Sequence, residues 1–289
     1  MNQNRLDQQQ SIAHAVCRSA LFVPATRVER IPKALASGAD AIIVDLEDAV
    51  AEADKHAARS ALDTFLQDTP DAAFHVRINA STSQHFEDDL TLCRRHAGIK
   101  GIVVPKAQSV AVLERAAACN KPLWPLIETA QGLLALASLV DVAGIERLSF
   151  GALDLGLELG LTPGSEGAER LLDQARYQLR VHSSAAGLAA PLESVYPAID
   201  DSQGVQLAAT RARDMGFAGM LCIHPRQLEF VHRAFSPSLG ELAWAQRVLE
   251  AAEQSQGAFS VDGQMVDAPV IERARRIIAI AESLASEQE

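Results

Sequence analysis

The chain has 289 residues, 48% of them hydrophobic, and a formal net charge of -11. This length and composition permit a large buried core, arranged either as two domains or as one large α/β barrel. The acidic balance argues against a protein that tracks nucleic-acid phosphates over a broad basic surface.

The four cysteines lie far apart in the chain and include no Cys-x-x-Cys pair; they are Cys17, Cys93, Cys119 and Cys222. Such spacing is typical of reduced thiols rather than of disulfides or zinc ligands. The first ten residues are polar, and no apolar run approaches the ~20 residues of a membrane span. We therefore expect a cytoplasmic protein with a frayed N-terminal tail.

Eight short apolar strands, each followed by a helix, are predicted in chain order. The strands are expected over 19–24, 41–48, 74–79, 101–106, 123–129, 147–155, 189–194 and 220–225. The helices are expected over 27–37, 54–66, 84–96, 110–118, 131–138, 169–185, 204–215 and 226–234. A long Gly-rich loop is expected over 156–167, and loops of that length are often functional.

The predicted strands are apolar throughout rather than alternating, which is typical of a parallel sheet buried on both faces. Eight such units in a row predict a TIM (β/α)8 barrel with a C-terminal helical lid extension. We expect three parts: an N-terminal tail over 1–17, the barrel over 18–235 and the extension over 236–289. The extension should hold helices over 239–256 and 269–284, joined by a Gly-containing turn over 257–263.

Polar side chains stand at the C-terminal ends of the predicted strands, where barrels of this kind carry their chemistry. Acids outnumber bases among them. The set comprises Asp45, Glu47, Asp48, Arg77, Lys106, Glu128, Asp154, Glu193 and His224. We expect these side chains to surround one polar mouth.

Glu128 and Asp154 each end an apolar run, on predicted strands five and six. Two like charges side by side are unfavourable unless a cation lies between them or one carboxyl stays protonated. The pair therefore indicates a hard metal or an acid/base dyad, and helix capping is the structural alternative. Two carboxylates with waters and a chelating substrate suit Mg²⁺, whereas the sequence has no His-x-x-x-His or Cys cluster for zinc.

Other residues of the set have both functional and structural interpretations. Arg77 stands between apolar neighbours and suits the grip of a planar carboxylate through two parallel hydrogen bonds. Lys106 is either a partner of an acid or a Schiff-base lysine. His224, before a proline, is expected to position its loop.

The three acids after the second strand cannot all face the mouth. Strand alternation places Asp45 and Glu47 on one side, so at most two acids reach it. Asp48 is also a candidate helix N-cap.

Seven stretches of the chain resemble the citrate lyase β-subunit-like (CitE-like) proteins of the HpcH/HpaI aldolase superfamily. They are RSALFVPATR at 18–27, GADAIIVDLED at 38–48, VRIN at 76–79, PK at 105–106, IET at 127–129, FGALD at 150–154 and IHPRQ at 223–227. They run in family order over nearly the whole chain. The resemblance implies Glu128 and Asp154 as Mg²⁺ ligands, with Arg77 as the clamp for a keto-acid carboxylate.

The same resemblance implies roles for residues around that metal site. Glu47 and Asp48 would belong to the acidic, water-holding side of the site. Thr26 and Arg27 would lie near the thioester carrier. Here the chain departs from the family, because Ala25 and Thr26 stand where many members carry Gly followed by Asp or Asn, which bears on the carrier contacts.

The C-terminal segment also has a counterpart in that family. The stretch GQMVD at 263–267 resembles a Gly-x-Met-Ile-Asp lid whose Asp acts as acid and base and is supplied by a neighbouring subunit. This implies a catalytic Asp267 and an oligomer, commonly a homotrimer. From the residues alone, Asp267 is only a helix N-cap.

We therefore predict a Mg²⁺-dependent lyase that cleaves a 3-hydroxyacyl-CoA, of the citramalyl-CoA or malyl-CoA type, into a short acyl-CoA and a 2-keto acid. Arg77 and Glu47 would serve beside Asp267 in the reaction. The alternatives are the β subunit of a citrate lyase complex acting on a carrier-protein thioester, and a non-catalytic acyl-CoA-binding homologue.

Overall fold

The computed structural model describes residues 16–254 and 258–286. The predicted tail over 1–17 therefore lies almost wholly outside the described residues, as does the start of the predicted turn at 257–263. The chain forms two compact units, one ending at Ala234 and the other beginning at Phe235.

The first unit is a closed barrel of eight strands, each paired in parallel with the next, with the eighth paired to the first. The strands are β1 Ser19–Pro24, β2 Ala41–Asp45, β3 Phe74–Arg77, β4 Ile99–Val104, β5 Leu123–Ile127, β6 Arg147–Phe150, β7 Ala189–Glu193 and β8 Gly219–Cys222. The predicted TIM barrel is confirmed. All eight strands therefore end at one rim.

Buried apolar side chains explain why these segments form an interior sheet. In β2, Ile42, Ile43 and Val44 are all buried, as a strand covered on both faces requires. The barrel interior is filled by one cluster drawn from several strands: Cys17, Ala20, Ile43, Val103, Trp124, Leu126, Leu192 and Leu221. The barrel is thus a packed core, and any chemistry must take place at its rim.

Helices follow the strands around this unit. They are α1 Ile31–Leu35, α2 Lys55–Asp68, α3 Phe86–Arg95, α4 Val110–Ala117, α5 Ala130–Leu139, α6 Ala152–Glu158, α7 Glu166–Ala185, α8 Ser202–Asp214 and α9 Leu228–Phe235. Side chains cap several of them, as when Thr129 accepts the N–H of Gly132 at 3.0 Å at the start of α5. No helix within the described ranges is long and apolar enough to span a membrane.

The largest differences from the predicted elements lie after β6. The predicted sixth strand over 147–155 ends at Phe150, and the residues that follow form the short helix α6. The end of α6 takes up the first residues of the expected loop and α7 begins at Glu166, so the loop shrinks to residues 159–165. The predicted helix over 27–37 is a 3₁₀ segment, Ala25–Arg30, followed by the short α1.

The second unit is built from two helices and a hairpin. Helices α10 Leu239–Glu253 and α11 Ala268–Ser286 flank the strands β9 Phe259–Val261 and β10 Gln264–Val266, which pair antiparallel. A small core joins them, formed by Ala245, Val248, Val266 and Ala274. The sequence predicts only a turn here, because each strand of the hairpin is just three residues long.

One glycine of β4 makes room for an aromatic stack inside the barrel. The His75 ring packs against Trp124 with 4.1 Å between ring centroids. A Cβ on Gly101 would overlap that imidazole, lying 2.7 Å from its Nε2, and would also approach the Pro122 carbonyl oxygen at 3.1 Å. Burial lowers the pKa of His75 to about 4, so the ring is neutral at physiological pH.

We predict that Gly101→Ala lowers the free energy of unfolding by about 1–3 kcal/mol, because the stacked imidazole has little room to retreat. Denaturant unfolding measures the change. The matched control is Gly167→Ala in α7, where a Cβ would meet nothing within 4 Å and should be neutral or slightly stabilising. Equal stabilities of the two variants would contradict the packing described for β4.

Candidate active site

The polar residues predicted to surround the mouth do follow the C-terminal ends of the strands. They are Asp45, Glu47 and Asp48 at and after β2, Arg77 at the end of β3, Lys106 after β4, Glu128 after β5, Asp154 after β6, Glu193 at the end of β7 and His224 after β8. Their contacts divide them into side chains that neutralise one another and side chains that do not.

Glu128 is a buried carboxylate that follows β5 directly and is 2% exposed. Its Oε1 accepts a hydrogen bond from the backbone N–H of Lys106 at 2.8 Å. Burial raises the pKa of Glu128 to about 8, and the charges of Glu47 and Asp154 act in the same direction, whereas that N–H acts against it. Among the described residues no basic side chain forms an ion pair with Glu128.

The backbone on both sides holds Glu128 in place. Lys106 has a φ of 48°, in the left-handed region that few side chains adopt, and this turn presents its N–H to the carboxylate. On the other side, Gly151 leaves no room for a side chain, because a Cβ there would lie 2.6 Å from Oε2 of Glu128 and would overlap its Cβ. The carboxylate therefore lies in a fitted slot.

Asp154 lies in the first turn of α6 and is half-buried. The prediction that it ends a strand is wrong, because the chain leaves the sheet at Gly151 and turns into helix. The prediction that it lies near Glu128 agrees with the structure, since its charge contributes to the raised pKa of that residue. Neither acid caps α5, whose N-cap is Thr129.

Arg77 is held mainly by Asp45. Its Nε and Nη2 donate to the two carboxylate oxygens of Asp45 at 2.7 and 2.6 Å, and its Nη1 lies 3.1 Å from Oε2 of Glu47. The guanidinium also lies over the Phe22 ring, 4.9 Å from the centroid. Burial alone would lower the pKa of Arg77, but the hydrogen bonds and charge of Asp45 raise it overall, so this group stays cationic.

Glu47 and Lys106 form the second neutralised pair. Lys106 Nζ donates to Oε1 of Glu47 and lies 3.8 Å from Oδ1 of the exposed Asp48. Burial raises the pKa of Glu47, opposed by the positive charges of Arg77 and Lys106. Burial acts to lower the pKa of Lys106, but its bond to Glu47 raises it overall. The prediction from strand alternation that at most two of these acids reach the mouth is wrong, because β2 ends at Asp45 and Asp48 also lies within 4.0 Å of Arg77.

Glu193 and His224 have partners that tie them to the scaffold. Glu193 accepts from Nε and Nη2 of Arg176 at 2.8 and 3.2 Å, so its charge is compensated. His224 accepts the N–H of Arg226 at 3.2 Å through Nδ1, at the start of the 3₁₀ helix Pro225–Gln227. His224 therefore shapes the loop after β8, in the structural role that the sequence suggested.

Thr26 and Arg27 are exposed within the 3₁₀ segment that follows β1. Arg27 has a non-helical backbone there, with φ -131° and ψ 50°, and its Nε donates to Glu29 at 2.9 Å. Because they follow the C-terminal end of β1, both residues lie at the same end of the barrel as the acids. Their predicted role near a thioester carrier stays a prediction.

Asp267 belongs to the second unit. It is half-buried and stands between β10 and α11, where its carbonyl accepts the N–H of Ile271 at 3.0 Å. That backbone bond fits the N-cap position, which the residues alone suggested. Its role as a catalytic acid and base stays a prediction.

The donor set at the mouth suits a hard cation. Within residues 16–254 and 258–286, no group of three or more His, Cys, Asp or Glu side chains is arranged to hold a metal ion by itself. Glu128 and Asp154 instead offer two carboxylates without an ion-pair partner among the described side chains. Such a pair fits Mg²⁺, which takes one or two carboxylates and completes its shell with water and substrate oxygens.

The sequence analysis assigned no role to Gly151 and Ser194, although both contact the residues of this site. Gly151 had a signal, because it lies in the FGALD stretch immediately after a strand. Ser194 had none beyond its position after β7. Its Oγ accepts the N–H of Ala152 at 2.9 Å, a contact that no sequence spacing indicates.

Comparisons with known proteins find relatives that cover most of the chain. A citrate lyase subunit beta-like protein of Mycobacterium tuberculosis is 39% identical over 92% of this chain and 96% of its own length. A (3S)-malyl-CoA thioesterase of Cereibacter sphaeroides is 36% identical over 93% of this chain and 96% of its own. The crystal structure of CitE from M. tuberculosis, in complex with magnesium, acetoacetate and coenzyme A, matches with a TM-score of 0.83 at 36% identity, covering 93% of this chain and 99% of that one.

The family model that matches this chain covers residues 18–225, which spans all eight strands of the barrel and every polar residue named at its mouth. This range includes both acids of the proposed cation site, Glu128 and Asp154, and also Arg77. The chain therefore belongs to the HpcH/HpaI aldolase/citrate lyase family.

Proposed function

We propose that this chain is a Mg²⁺-dependent carbon–carbon lyase that cleaves a 3-hydroxyacyl-CoA, of the citramalyl-CoA or malyl-CoA type, into a short acyl-CoA and a 2-keto acid. The observation that carries the proposal is Glu128, a buried carboxylate with a pKa of about 8 beside Asp154 and without a cationic partner among the described side chains. The magnesium, acetoacetate and coenzyme A bound to the M. tuberculosis relative give independent support.

Glu128 and Asp154 are the residues we assign to Mg²⁺. When bound, the ion supplies positive charge beside the carbonyl and carboxylate oxygens of the keto acid. The slot formed by the Lys106 N–H and Gly151 fixes the direction of Glu128 before any ligand arrives. Such preorganisation is what a charge-stabilising site needs.

Arg77 is the residue we assign to the carboxylate of the keto acid. Asp45 occupies its Nε and Nη2 edge and Oε2 of Glu47 lies 3.1 Å from Nη1, so a second carboxylate would share the edge between Nη1 and Nη2 with Glu47. Asp45 therefore acts as the support that orients the guanidinium. Phe22, under the guanidinium plane, restricts the same group from the side.

Cleavage of the bond between the two product halves requires two proton transfers. The 3-hydroxyl loses its proton as the carbonyl of the keto acid forms, and the enolate carbon of the acyl thioester gains one. We assign the first proton to Glu47, whose pKa is raised by burial and whose Oε2 accepts no hydrogen bond from the described residues. We assign the second to Asp267, supplied by a neighbouring subunit of a homotrimer as the family resemblance implies.

The contacts of Lys106 argue against the Schiff-base alternative. An amine that attacks a carbonyl must lose its proton near neutral pH, and enzymes achieve this by lowering its pKa. In this chain the bond to Glu47 raises the pKa of Lys106 above its ordinary value. We assign Lys106 to neutralising Glu47 and to fixing Glu128 through its backbone.

We predict that purified chain with Mg²⁺ releases a 2-keto acid from citramalyl-CoA or malyl-CoA, and that Glu128→Gln or Asp154→Asn abolishes this release. Chromatography of the CoA products and a dehydrogenase-coupled keto-acid assay measure it. Glu158→Gln is the matched control, because this residue lies on the same helix as Asp154, accepts the N–H of Ala130 and forms no ion pair with a described side chain.

The products of that assay also separate the rival functions. Free CoA without a short acyl-CoA would indicate a thioesterase, the activity named for the C. sphaeroides relative. Turnover of a carrier-protein thioester only would indicate the β subunit of a citrate lyase complex. Binding without turnover of either would leave the non-catalytic acyl-CoA-binding function and contradict the proposal.

We predict that Mg²⁺ binding releases about one proton at pH 7, because Glu128 with its pKa of about 8 is mostly protonated before the ion arrives. The affinity for Mg²⁺ should rise by up to about tenfold per pH unit below pH 8 and then level off. Calorimetry in buffers of different ionisation enthalpy counts the protons. Affinity that is flat across this range, or unchanged proton release in Glu128→Gln, would contradict the assignment.

We predict that Asp267→Asn lowers kcat by about 10²–10⁴-fold while leaving Mg²⁺ affinity unchanged, because the residue would move a proton rather than hold the ion. Asp262→Asn in the same hairpin is the control, since Asp262 is exposed and pairs with Arg247 at 2.8 Å. Mixing inactive Glu128→Gln and Asp267→Asn chains should restore part of the activity if Asp267 comes from the neighbouring subunit. Full activity of Asp267→Asn would return this residue to helix capping.

A further inference from the structure

The helix that carries Asp154 is tied to the neighbouring strand by one buried serine. The backbone N–H of Ala152, two residues before Asp154, donates to Oγ of Ser194 at 2.9 Å. N–H groups in the first turn of a helix have no partner within the helix, so this bond supplies one. Ser194 is only 4% exposed and follows the last residue of β7. It therefore fixes the turn on which Asp154 stands.

Ser194 is in turn held by the carboxylate of Glu193. Its backbone N–H donates to Oε1 of Glu193 at 3.0 Å, and the same carboxylate receives the Nε and Nη2 groups of Arg176. Arg176 lies on α7, outside the barrel, and its guanidinium is nearly buried. A bidentate ion pair, with two parallel hydrogen bonds between the charged groups, has a defined geometry, so it fixes the end of β7.

Arg176 also contacts the strand that leads into α6. Its guanidinium carbon lies 5.5 Å from the centroid of the Phe150 ring, and Phe150 is the last residue of β6. The arginine is itself anchored on α7, where Nη1 donates to Asp173 at 2.9 Å. The Arg176 side chain therefore contacts the ends of both β6 and β7, the two strands next to the helix that carries Asp154.

We propose that Arg176, Glu193 and Ser194 are positioning residues that hold Asp154 and thereby set the affinity of the mouth for a divalent cation. The inference rests on the proposed function, because it takes Glu128 and Asp154 as the cation's ligands. Glu128 is fixed directly by the Lys106 N–H and by Gly151, whereas Asp154 lies on the short helix α6, outside the barrel sheet. The bond chain from Arg176 gives that helix the support that the barrel gives Glu128.

A purely structural role makes a different prediction. A buried ion pair contributes little net stability compared with apolar packing, and its loss would lower the free energy of unfolding without changing cation affinity in the protein that remains folded. Residues that orient metal ligands instead change affinity, typically by about 10–100-fold. Cation affinity therefore separates the two roles.

The test is the affinity for Mg²⁺ in the absence of substrate, measured by calorimetry on the full chain. Ser194→Ala should weaken it by about tenfold. Ser194→Thr, which keeps the hydroxyl, should restore most of it. The matched control is Ser183→Ala in α7, because Ser183 is also fully buried but its Oγ has no hydrogen-bond partner in the part of the chain that the structure describes.

Arg176→Lys tests the far end of the bond chain. Lysine still compensates the charge of Glu193 but cannot form the bidentate hydrogen bonds, so Mg²⁺ affinity should fall by several-fold. In the double variant with Ser194→Ala, the loss should be smaller than the product of the single losses, since both changes act through the same helix. If Ser194→Ala leaves no folded protein, Arg176→Lys alone decides the question.

The outcomes distinguish this inference from the proposed function. If wild type binds Mg²⁺ and Asp154→Asn does not, unchanged affinity in Ser194→Ala and Arg176→Lys overturns the positioning role and leaves the metal site standing. If the two losses of Mg²⁺ affinity multiply in the double variant, Arg176 and Ser194 act independently, and the proposal that both act through α6 is overturned. If wild type fails to bind Mg²⁺, or Asp154→Asn binds it equally well, the metal site itself is wrong.

Discussion

The convergence of negative charge at one end of a closed parallel barrel is the constraint on which the site depends. Eight parallel strands place all their C-terminal ends at one rim, and acids stand at or after four of these ends, those of β2, β5, β6 and β7. Arg77 neutralises Asp45, Lys106 neutralises Glu47 and Arg176 neutralises Glu193. Glu128 and Asp154 are left as neighbouring carboxylates, so the position that we propose for the cation follows from which acids already pair with basic residues.

The two remaining acids are held by different means. Glu128 follows a barrel strand directly and is fixed by backbone on both sides, which requires a left-handed residue at Lys106 and a glycine at position 151. Asp154 stands on a seven-residue helix outside the sheet, and its support comes through side chains from β7 and α7. In the proposed cation site Glu128 would therefore be the rigid ligand and Asp154 the adjustable one, and this difference is the reason that we expect affinity to be set at Asp154.

The fold was largely predictable because a parallel barrel leaves a strong pattern in the sequence. Both faces of β2 and β5 are buried, so these strands are continuous apolar runs in the sequence, and the count of eight such strands predicts the barrel. The region after β6 was predicted less well. Phe150-Gly151-Ala152-Leu153-Asp154 is apolar up to its acid, like the other strands, and only the fit of Gly151 against Glu128 shows where the chain must leave the sheet. The hairpin over 259–266 was not predicted for a different reason: strands of three residues are too short to show a period of hydrophobic residues.

The sequence by itself determined the barrel, the family resemblance and the set of residues at the mouth, because these depend on local apolar runs and on the order of short motifs. Only the tertiary structure decided which acids are neutralised and which remain available. That division depends on pairings such as Arg77 with Asp45 and Arg176 with Glu193, whose members lie on different elements. It also depends on the hydrogen bond from Ala152 to Ser194, 42 residues apart in the chain. Contacts of this kind arise from the closure of the barrel, and a single sequence carries no local signal for them.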